Sequence, residues 1–315
     1  MTAKLLQSAL NAHQAGRLAD AEDGYRAVLK RDPRHLDALY LLGLLLYQSG
    51  RVEESLTPLG RAVESTQARP EHFNTLGDAN RVLGRFDVAI KHLEQAIVLK
   101  PGYVDAQLNL ATTLNAAGRK DEALVLLFNA VAANPTSTPL RQLLAAMLQG
   151  VVLHTGNVVV REVLRLLCTD DTTSAQSLAG AVLGLVKGSP SFPLLLAAAT
   201  NDSDPFVVVE TAARALMDDA LLTTGLPRFI VWDADVERVL TLMRRWIFRR
   251  AMRNTPGVEP DTTVPASFLC ALAGQCHNTE FAFEVHEDER LMIERLRSVL
   301  SDALSLAHLS ATALE

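Results

Sequence analysis

Gly50-Arg51-Val52-Glu53-Glu54-Ser55-Leu56-Thr57-Pro58-Leu59 and, 34 residues further on, Gly84-Arg85-Phe86-Asp87-Val88-Ala89-Ile90-Lys91-His92-Leu93 are two copies of one pattern. The Gly-Arg pair also stands at Gly16-Arg17 and Gly118-Arg119, so the spacing is 34 each time. Five residues after each glycine comes a small residue (Ala21, Ser55, Ala89, Ala123), and four beyond it a large one (Tyr25, Leu59, Leu93, Leu127). Pro33, Pro101 and Pro135 close three of the units, while the second has Gln67 there. Upstream of the glycines, Leu42-Gly43, Leu76-Gly77 and Leu110-Ala111 recur in phase, with Ser8-Ala9 as a degenerate opening copy. The repeat predicts four helix–turn–helix units, 2–35, 36–69, 70–103 and 104–137.

Each recurring residue has a physical reason. The glycine allows a tight, left-handed turn between two helices. The small residues let those helices approach closely, and the large ones fill the space between neighbouring units. The proline ends the second helix because it cannot extend the hydrogen-bond ladder. One such hairpin cannot bury its apolar face alone, so four must stack. The pattern over residues 2–137 resembles the tetratricopeptide repeat (TPR) family, whose unit is a 34-residue helical hairpin. The resemblance implies an all-α fold: a right-handed TPR superhelix (α-solenoid), here followed by an irregular all-helical domain.

In that family the first helices of successive units line a concave groove that takes peptides or partner helices. Core packing uses positions 4, 7, 8 and 11 of the unit, which leaves positions 5, 9 and 12 as an adjacent exposed stripe. The stripe reads Leu6, Leu10 and His13, then Tyr40, Leu44 and Tyr47, then Asn74, Asp78 and Arg81, then Leu108, Thr112 and Asn115. Position 6 adds Thr75 and Asn109, and Asn109 matches an asparagine that grips a peptide backbone in some long TPR superhelices. The expected groove is apolar and aromatic in units one and two and polar in three and four. It suits a mostly hydrophobic segment whose backbone is held by Asn74 and Asn109. An alternative is that the same wall is covered by the chain's own second half. The carboxylate clamp of chaperone-binding relatives is missing, since Leu6, Leu10, Leu44, Glu71 and Thr75 occupy its positions.

Beyond Pro135 the period fails but helical spacing continues. Leu140–Leu153 reads as a fifth first helix or a cap. Asn157–Cys168, Thr172–Lys187, Pro205–Leu222, Ala234–Arg253, Ala266–Cys276 and Glu287–Leu306 read as helices. Asp204 before Pro205, and Asp235, are expected N-caps. Residues 254–265, with Pro256, Gly257, Pro260 and Pro265, read as a loop. Residues 138–168 are expected to be capping or transition helices, and 169–315 a helical C-terminal domain. Gly180, Gly184 and Gly188, four apart, predict close packing against a neighbour, and no Gly-Lys-Ser/Thr follows to make a phosphate loop.

The stretch Phe268-Leu269-Cys270-Ala271-Leu272-Ala273-Gly274-Gln275-Cys276, ending in Glu280-Phe281-Ala282-Phe283, is similar to a segment of bacterial proteins that join TPRs to a class I S-adenosylmethionine-dependent methyltransferase. The preceding helices match that region in order and character, over roughly residues 160–305. The resemblance implies a connector before a methyltransferase domain. The catalytic domain itself is absent, because no strand, acidic residue and Gly-x-Gly loop opening a helix occur in sequence.

Other chemistry is excluded more directly. Arg244, Arg245, Arg249, Arg250 and Arg253 follow Asp233, Asp235 and Glu237 on one helix, an order that complements the helix dipole. With a net charge of −6 they do not make a nucleic-acid face. Cys270, Cys276, His277 and His286 have no zinc-site spacing, and Cys276 and His277, being adjacent, diverge on a helix. Three cysteines in Leu- and Ala-rich surroundings fit reduced thiols in the cytoplasm. No run reaches the ~20 apolar residues of a membrane span, and no secretory leader is visible. The expectation is a non-enzymatic interaction module without cofactor, metal, nucleic acid or membrane. Its partner is a peptide or protein in the groove, with a methyltransferase domain as a further candidate partner.

Overall fold

Each Gly-Arg pair lies at the turn of a helical hairpin in the computed structural model, which describes residues 2–200, 209–228, 233–253, 267–268 and 270–271. The fold is all-α, with no strand among the described residues. Two compact units are formed, Met1–Met147 and Leu148–Glu315.

The first unit is a solenoid of four hairpins, α1 (Thr2–Gln14) with α2 (Leu18–Arg31), α3 (Leu36–Gln48) with α4 (Val52–Val63), α5 (Pro70–Val82) with α6 (Phe86–Leu99), and α7 (Val104–Ala116) with α8 (Lys120–Ala133), followed by α9 (Thr138–Leu148). From α1 to α8 each helix packs on the next, and first helices also touch one another, α3 on α5 and α5 on α7. The turns are identical in hydrogen bonding. At each, the glycine N–H donates to the carbonyl three residues back and the arginine N–H to the carbonyl five back, as in Gly50 to Tyr47 at 3.0 Å and Arg51 to Leu46 at 2.9 Å. That pairing requires a left-handed residue between the helices, and Gly16, Gly50, Gly84 and Gly118 have φ of 72, 77, 73 and 79°.

The arginine that follows has its own role. Arg51 pairs with Glu22 of the preceding hairpin at 2.7 Å and with Glu54 at 2.5 Å, and Arg85 reaches back to Glu53 at 2.7 Å. Arg26 first and then Arg51 hold the Glu22 carboxyl below its usual range.

Close approach within hairpins depends on small residues. A Cβ on Gly43 would lie 2.5 Å from Leu59 Cγ, and one on Gly77 2.6 Å from Leu93 Cγ. In the first hairpin the small partner is on the other helix, where a Cβ on Gly24 would meet Ala9 Cβ at 2.6 Å. The helices before Pro33, Pro101 and Pro135 are 14 residues long, whereas α4 has 12 and carries Pro58 inside it. Pro58 removes one ladder bond within α4, which nevertheless continues to Val63.

α9 stops at Leu148, and Gly150, at φ 71°, ends it as the glycines end the earlier first helices. The expected helix Leu140–Leu153 is therefore five residues too long at its end. A left-handed glycine turns the chain there.

The second unit contains α10 (Val158–Thr169), α11 (Ala175–Lys187), α12 (Ser191–Thr200), α13 (Val209–Met217), α14 (Ala220–Gly225), a 3₁₀ turn (Leu226–Arg228) and α15 (Ala234–Arg253). α10, α11 and α15 lie where apolar spacing put them. α12 was not foreseen, because its run of Leu and Ala carries little facial contrast. The expected helix over 205–222 is broken at Asp219, whose carboxylate accepts the N–H groups of Leu221 at 2.9 Å and Leu222 at 3.3 Å and so starts α14. The cap of α15 is Asp233 rather than Asp235, with Oδ1 accepting from Asp235 and Val236 at 3.1 Å each. On α15, Val236, Val239, Leu240 and Met243 are buried.

The glycines of α11 pack against an extended segment rather than a helix. The carbonyl oxygens of Val151, Leu153 and His154 lie over Gly180, Gly184 and Gly188 in turn. A Cβ at Gly184 would sit 2.5 Å from Leu153 O, and one at Gly180 2.8 Å from Val151 O. No single helix among the described residues is long and apolar enough to cross a membrane. Asp204, Pro205, the loop 254–265, the helix expected at 287–306, Cys276, His277 and His286 lie outside the described residues. So does the methyltransferase-like pattern apart from Phe268, Cys270 and Ala271.

Candidate functional site

The first-helix face of the first unit carries the fourteen residues singled out by position in the repeat. Helical phase puts them there: positions 5, 9 and 12 follow one another at about one turn each. The face is less open than that phase alone implies. Thr112 and Asn115 are exposed, Thr75 is buried, and Leu6, Leu10, His13, Tyr40, Leu44, Tyr47, Asn74, Asp78, Arg81, Leu108 and Asn109 are half-buried. The cause is the neighbouring hairpin. Leu6 packs on the cluster containing Tyr25 and Leu42, and Tyr40 and Tyr47 on that containing Leu59 and Leu76.

Polar members of the face pair across hairpins at a fixed sequence separation of 35, one more than the repeat. His13 Nε2 and Gln48 Oε1 are 3.2 Å apart. Thr75 Oγ1 donates to Glu71 O at 2.9 Å, so Tyr40 supplies the proton in its 3.4 Å contact with Thr75. Asn109 Nδ2 donates to Asn74 Oδ1 at 3.0 Å. These rungs join the first hairpin to the second, the second to the third and the third to the fourth.

A further cluster lies at position 12 of the second unit and positions 9 and 12 of the third. The Tyr47 hydroxyl donates to Asp78 Oδ2, and Arg81 Nε donates to Asp78 Oδ1 at 2.8 Å. Both carboxylate oxygens are thus engaged, and the guanidinium is held in place by a charge-assisted bond. Burial first, and then the Asp78 carboxylate, push the Tyr47 phenol up to about 12. Tyr103 is likewise raised to about 12, by burial and then by Asp105 and Glu71. The exposed Thr112 hydroxyl is turned to its own helix, donating to Leu108 O at 2.8 Å.

Sequence position missed three participants. Gln48 is one residue past the stripe yet bonds His13. Tyr103, at the start of α7, lies near Asn74, which acts on its phenol. His72 is buried against Tyr40, with ring centroids 4.5 Å apart. For Gln48 the separation of 35 from His13 was the available signal, but it becomes meaningful only once the hairpins are stacked.

In the second unit a cleft of about 780 Å³ runs beside α11, bordered by Gly180, Gly184, Val152, Lys187 and Asp233. Lys187 Nζ lies 2.8 Å from Asp233 and 3.2 Å from Asp235, so its charge is already balanced. The side chains of the arginine run on α15 from Arg244 onward, Ile247 excepted, are not described. Cys168 is fully buried, which pushes its thiol up to about 11, and Cys270 is exposed.

Comparison with known proteins agrees with the hairpins. Family models described as tetratricopeptide repeats match residues 6–72 and 83–147. Protein FlbA of Caulobacter vibrioides is 29% identical over 161 residues, 50% of this chain and 26% of FlbA. Cellulose synthase 2 operon protein C of Komagataeibacter xylinus is 37% identical over 121 residues, 38% of this chain and 9% of that protein. The chain thus spans about a quarter or less of the length of these curated relatives. Among solved structures, YrrB, described as a TPR protein with an unusual peptide-binding site, is 17% identical with a TM-score of 0.46, covering 55% of this chain and 88% of YrrB.

Proposed function

We propose, from a first unit built of tetratricopeptide repeats, that this protein is a non-catalytic interaction scaffold whose first-helix groove docks a peptide or a segment of a partner protein. The observation that carries the reading is the set of rungs His13–Gln48, Tyr40–Thr75 and Asn74–Asn109. They fix the wall before any ligand arrives, which lowers the ordering cost of binding. Leu6, Leu10, Tyr40 and Leu44 give the wall half-buried apolar surface in the first two units, and Thr112 and Asn115 give exposed polar groups in the fourth. The remaining capacity of the Asn74–Asn109 pair suits the backbone of an extended ligand. In this proposal the protein is cytoplasmic, where the free, buried thiol of Cys168 would stay reduced.

The test uses exposed positions, so that the fold survives. Pull-downs with the full chain are compared with Thr112→Arg/Asn115→Arg and with Val125→Arg on a second helix, where Val125 is exposed. Partners lost with the first variant and kept with the second are groove clients. Partners kept by both refute the groove.

A second reading makes the chain a substrate-docking or regulatory part of a methyltransferase system. It is favoured by the Phe268–Cys276 pattern, of which Phe268 and Ala271 are buried. Titration with S-adenosylmethionine separates the two readings. Saturable binding, to this chain or to a methyltransferase that it captures, supports the second, and capture of partners without a methyltransferase supports the scaffold.

A further inference from the structure

His72 is fully buried at the third position of α5, where the second and third repeats meet. Its Nδ1 accepts the backbone N–H of Arg69 at 3.1 Å and so ties down the start of α5. A ring nitrogen that accepts carries no proton, so the ring is the Nε2–H tautomer. Nε2 is buried without a hydrogen-bond partner. The ring also lies against Tyr40, 4.5 Å between centroids, and Tyr40 is hydrogen-bonded to Thr75 of the same helix. One imidazole thus supports both a helix start and an aromatic of the adjacent repeat.

Both roles need the neutral ring. A proton on Nδ1 would replace an acceptor with a donor facing the Arg69 N–H, and would bury a cation with neither nitrogen partnered. Burial holds the imidazole below its usual pKa, the Arg69 charge adds to this, and Glu71 and Asp37 oppose it. From α3 the ring faces Asp37 and the Tyr40 phenol, and from its own helix Arg69 and Glu71. Among the described residues α4, α6 and α7 present no charge that acts on it. Asp37 and Arg69 are paired at 3.6 Å but are 54% and 61% exposed, so neither supplies a buried counter-charge.

We infer that His72 is an acid-sensitive latch between the second and third repeats, and that its protonation opens the first turn of α5 and releases Tyr40 from the wall. The folded state favours the neutral ring. The closed junction is therefore intact above about pH 6.5, and its open fraction rises roughly tenfold for each pH unit below that. The latch belongs to the repeat junction, whatever the wall binds.

The experiment is amide hydrogen exchange on the full chain at about pH 7.5 and about pH 5.5, corrected for the intrinsic rate at each pH. Residues 70–76 are expected to open about tenfold more at the lower pH while α1 and α2 do not change. In His72→Gln the amide oxygen still accepts the Arg69 N–H, as glutamine does at this position of a capping box, but it does not titrate. That variant is expected to open equally at both pH values. A flat wild-type response, an equal rise in the variant, or simultaneous opening of the whole first unit overturns the latch. Should the variant not fold, NMR titration of the wild-type His72 ring decides. Its midpoint must lie below about 6.5, where exchange has already begun to rise, and a midpoint at or above that value overturns the inference.

Discussion

Asn109 donates a hydrogen bond to Asn74 at 3.0 Å across the junction of the third and fourth repeats, although both were singled out as ligands for a bound backbone. The pair has a structural duty first. Asn74→Ala and Asn109→Ala should each destabilise the first unit, and the double variant should lose less than the sum. The expected coupling is about 1 kcal/mol. Urea midpoints followed by tyrosine absorbance report this, because all four tyrosines lie in the first unit and both tryptophans in the second. Strict additivity would show that the rung contributes nothing.

Gly184→Ala should destabilise the second unit by about 2 kcal/mol or more, since its Cβ would lie 2.5 Å from the backbone oxygen of Leu153, which cannot rotate away. Gly60→Ala, where nothing lies within 4 Å, should be neutral or slightly stabilising in its helix. Tryptophan fluorescence during denaturation measures the former and tyrosine absorbance the latter. Equal behaviour of the two variants would contradict the packing of α11 under 151–154.

Alkaline titration should separate the tyrosines. In denaturant all four ionise near their ordinary value of about 10. In the folded chain Tyr47 and Tyr103 should remain protonated to about 12. A phenol whose folded pKa is raised stabilises the fold below the unfolded value and loses that contribution as pH rises through the folded one. The first unit should therefore weaken between about pH 10 and 12. Burial raises Tyr25 in the same direction, so Tyr47→Phe, which removes one of the raised phenols, should shallow that loss.

Thiol chemistry offers a check on the second unit. Cys168, buried and with its thiol pushed up to about 11, should resist alkylation in the native chain, whereas the exposed Cys270 should react. Mass mapping after brief treatment with iodoacetamide at neutral pH reads the difference. Modification of Cys168 at a rate matching Cys270 would mean that α10 is not buried as described.

Arg51→Gln should lower stability only slightly, because its partners Glu22 and Glu54 form a partly exposed network, and the loss should shrink in high salt. The contribution of Glu22, whose carboxyl is held low by Arg26 and then Arg51, should be present above about pH 4.5 and fade as pH falls through its folded value. Thermal midpoints at low and high salt test both statements.

The amino-acid order by itself determined the hairpins of the first unit. Gly50 with Arg51 closes a left-handed turn through backbone bonds within six residues, Gly43 against Leu59 decides how close two helices come, and Pro101 ends one of them. All three are effects a short stretch of chain carries with it. Local spacing also located α10, α11 and α15. It failed at α12, which has no polar face, and at Asp219, which caps a new helix inside an apparently continuous run. Burial at the wall and the rungs His13–Gln48, Tyr40–Thr75 and Asn74–Asn109 were decided by the tertiary structure. They depend on the rotation and one-residue stagger of helices that meet only when hairpins stack, and no local pattern encodes that geometry. The same holds for the extended segment 151–154 over Gly180, Gly184 and Gly188. The glycines announced a close neighbour, and only packing showed that it was backbone.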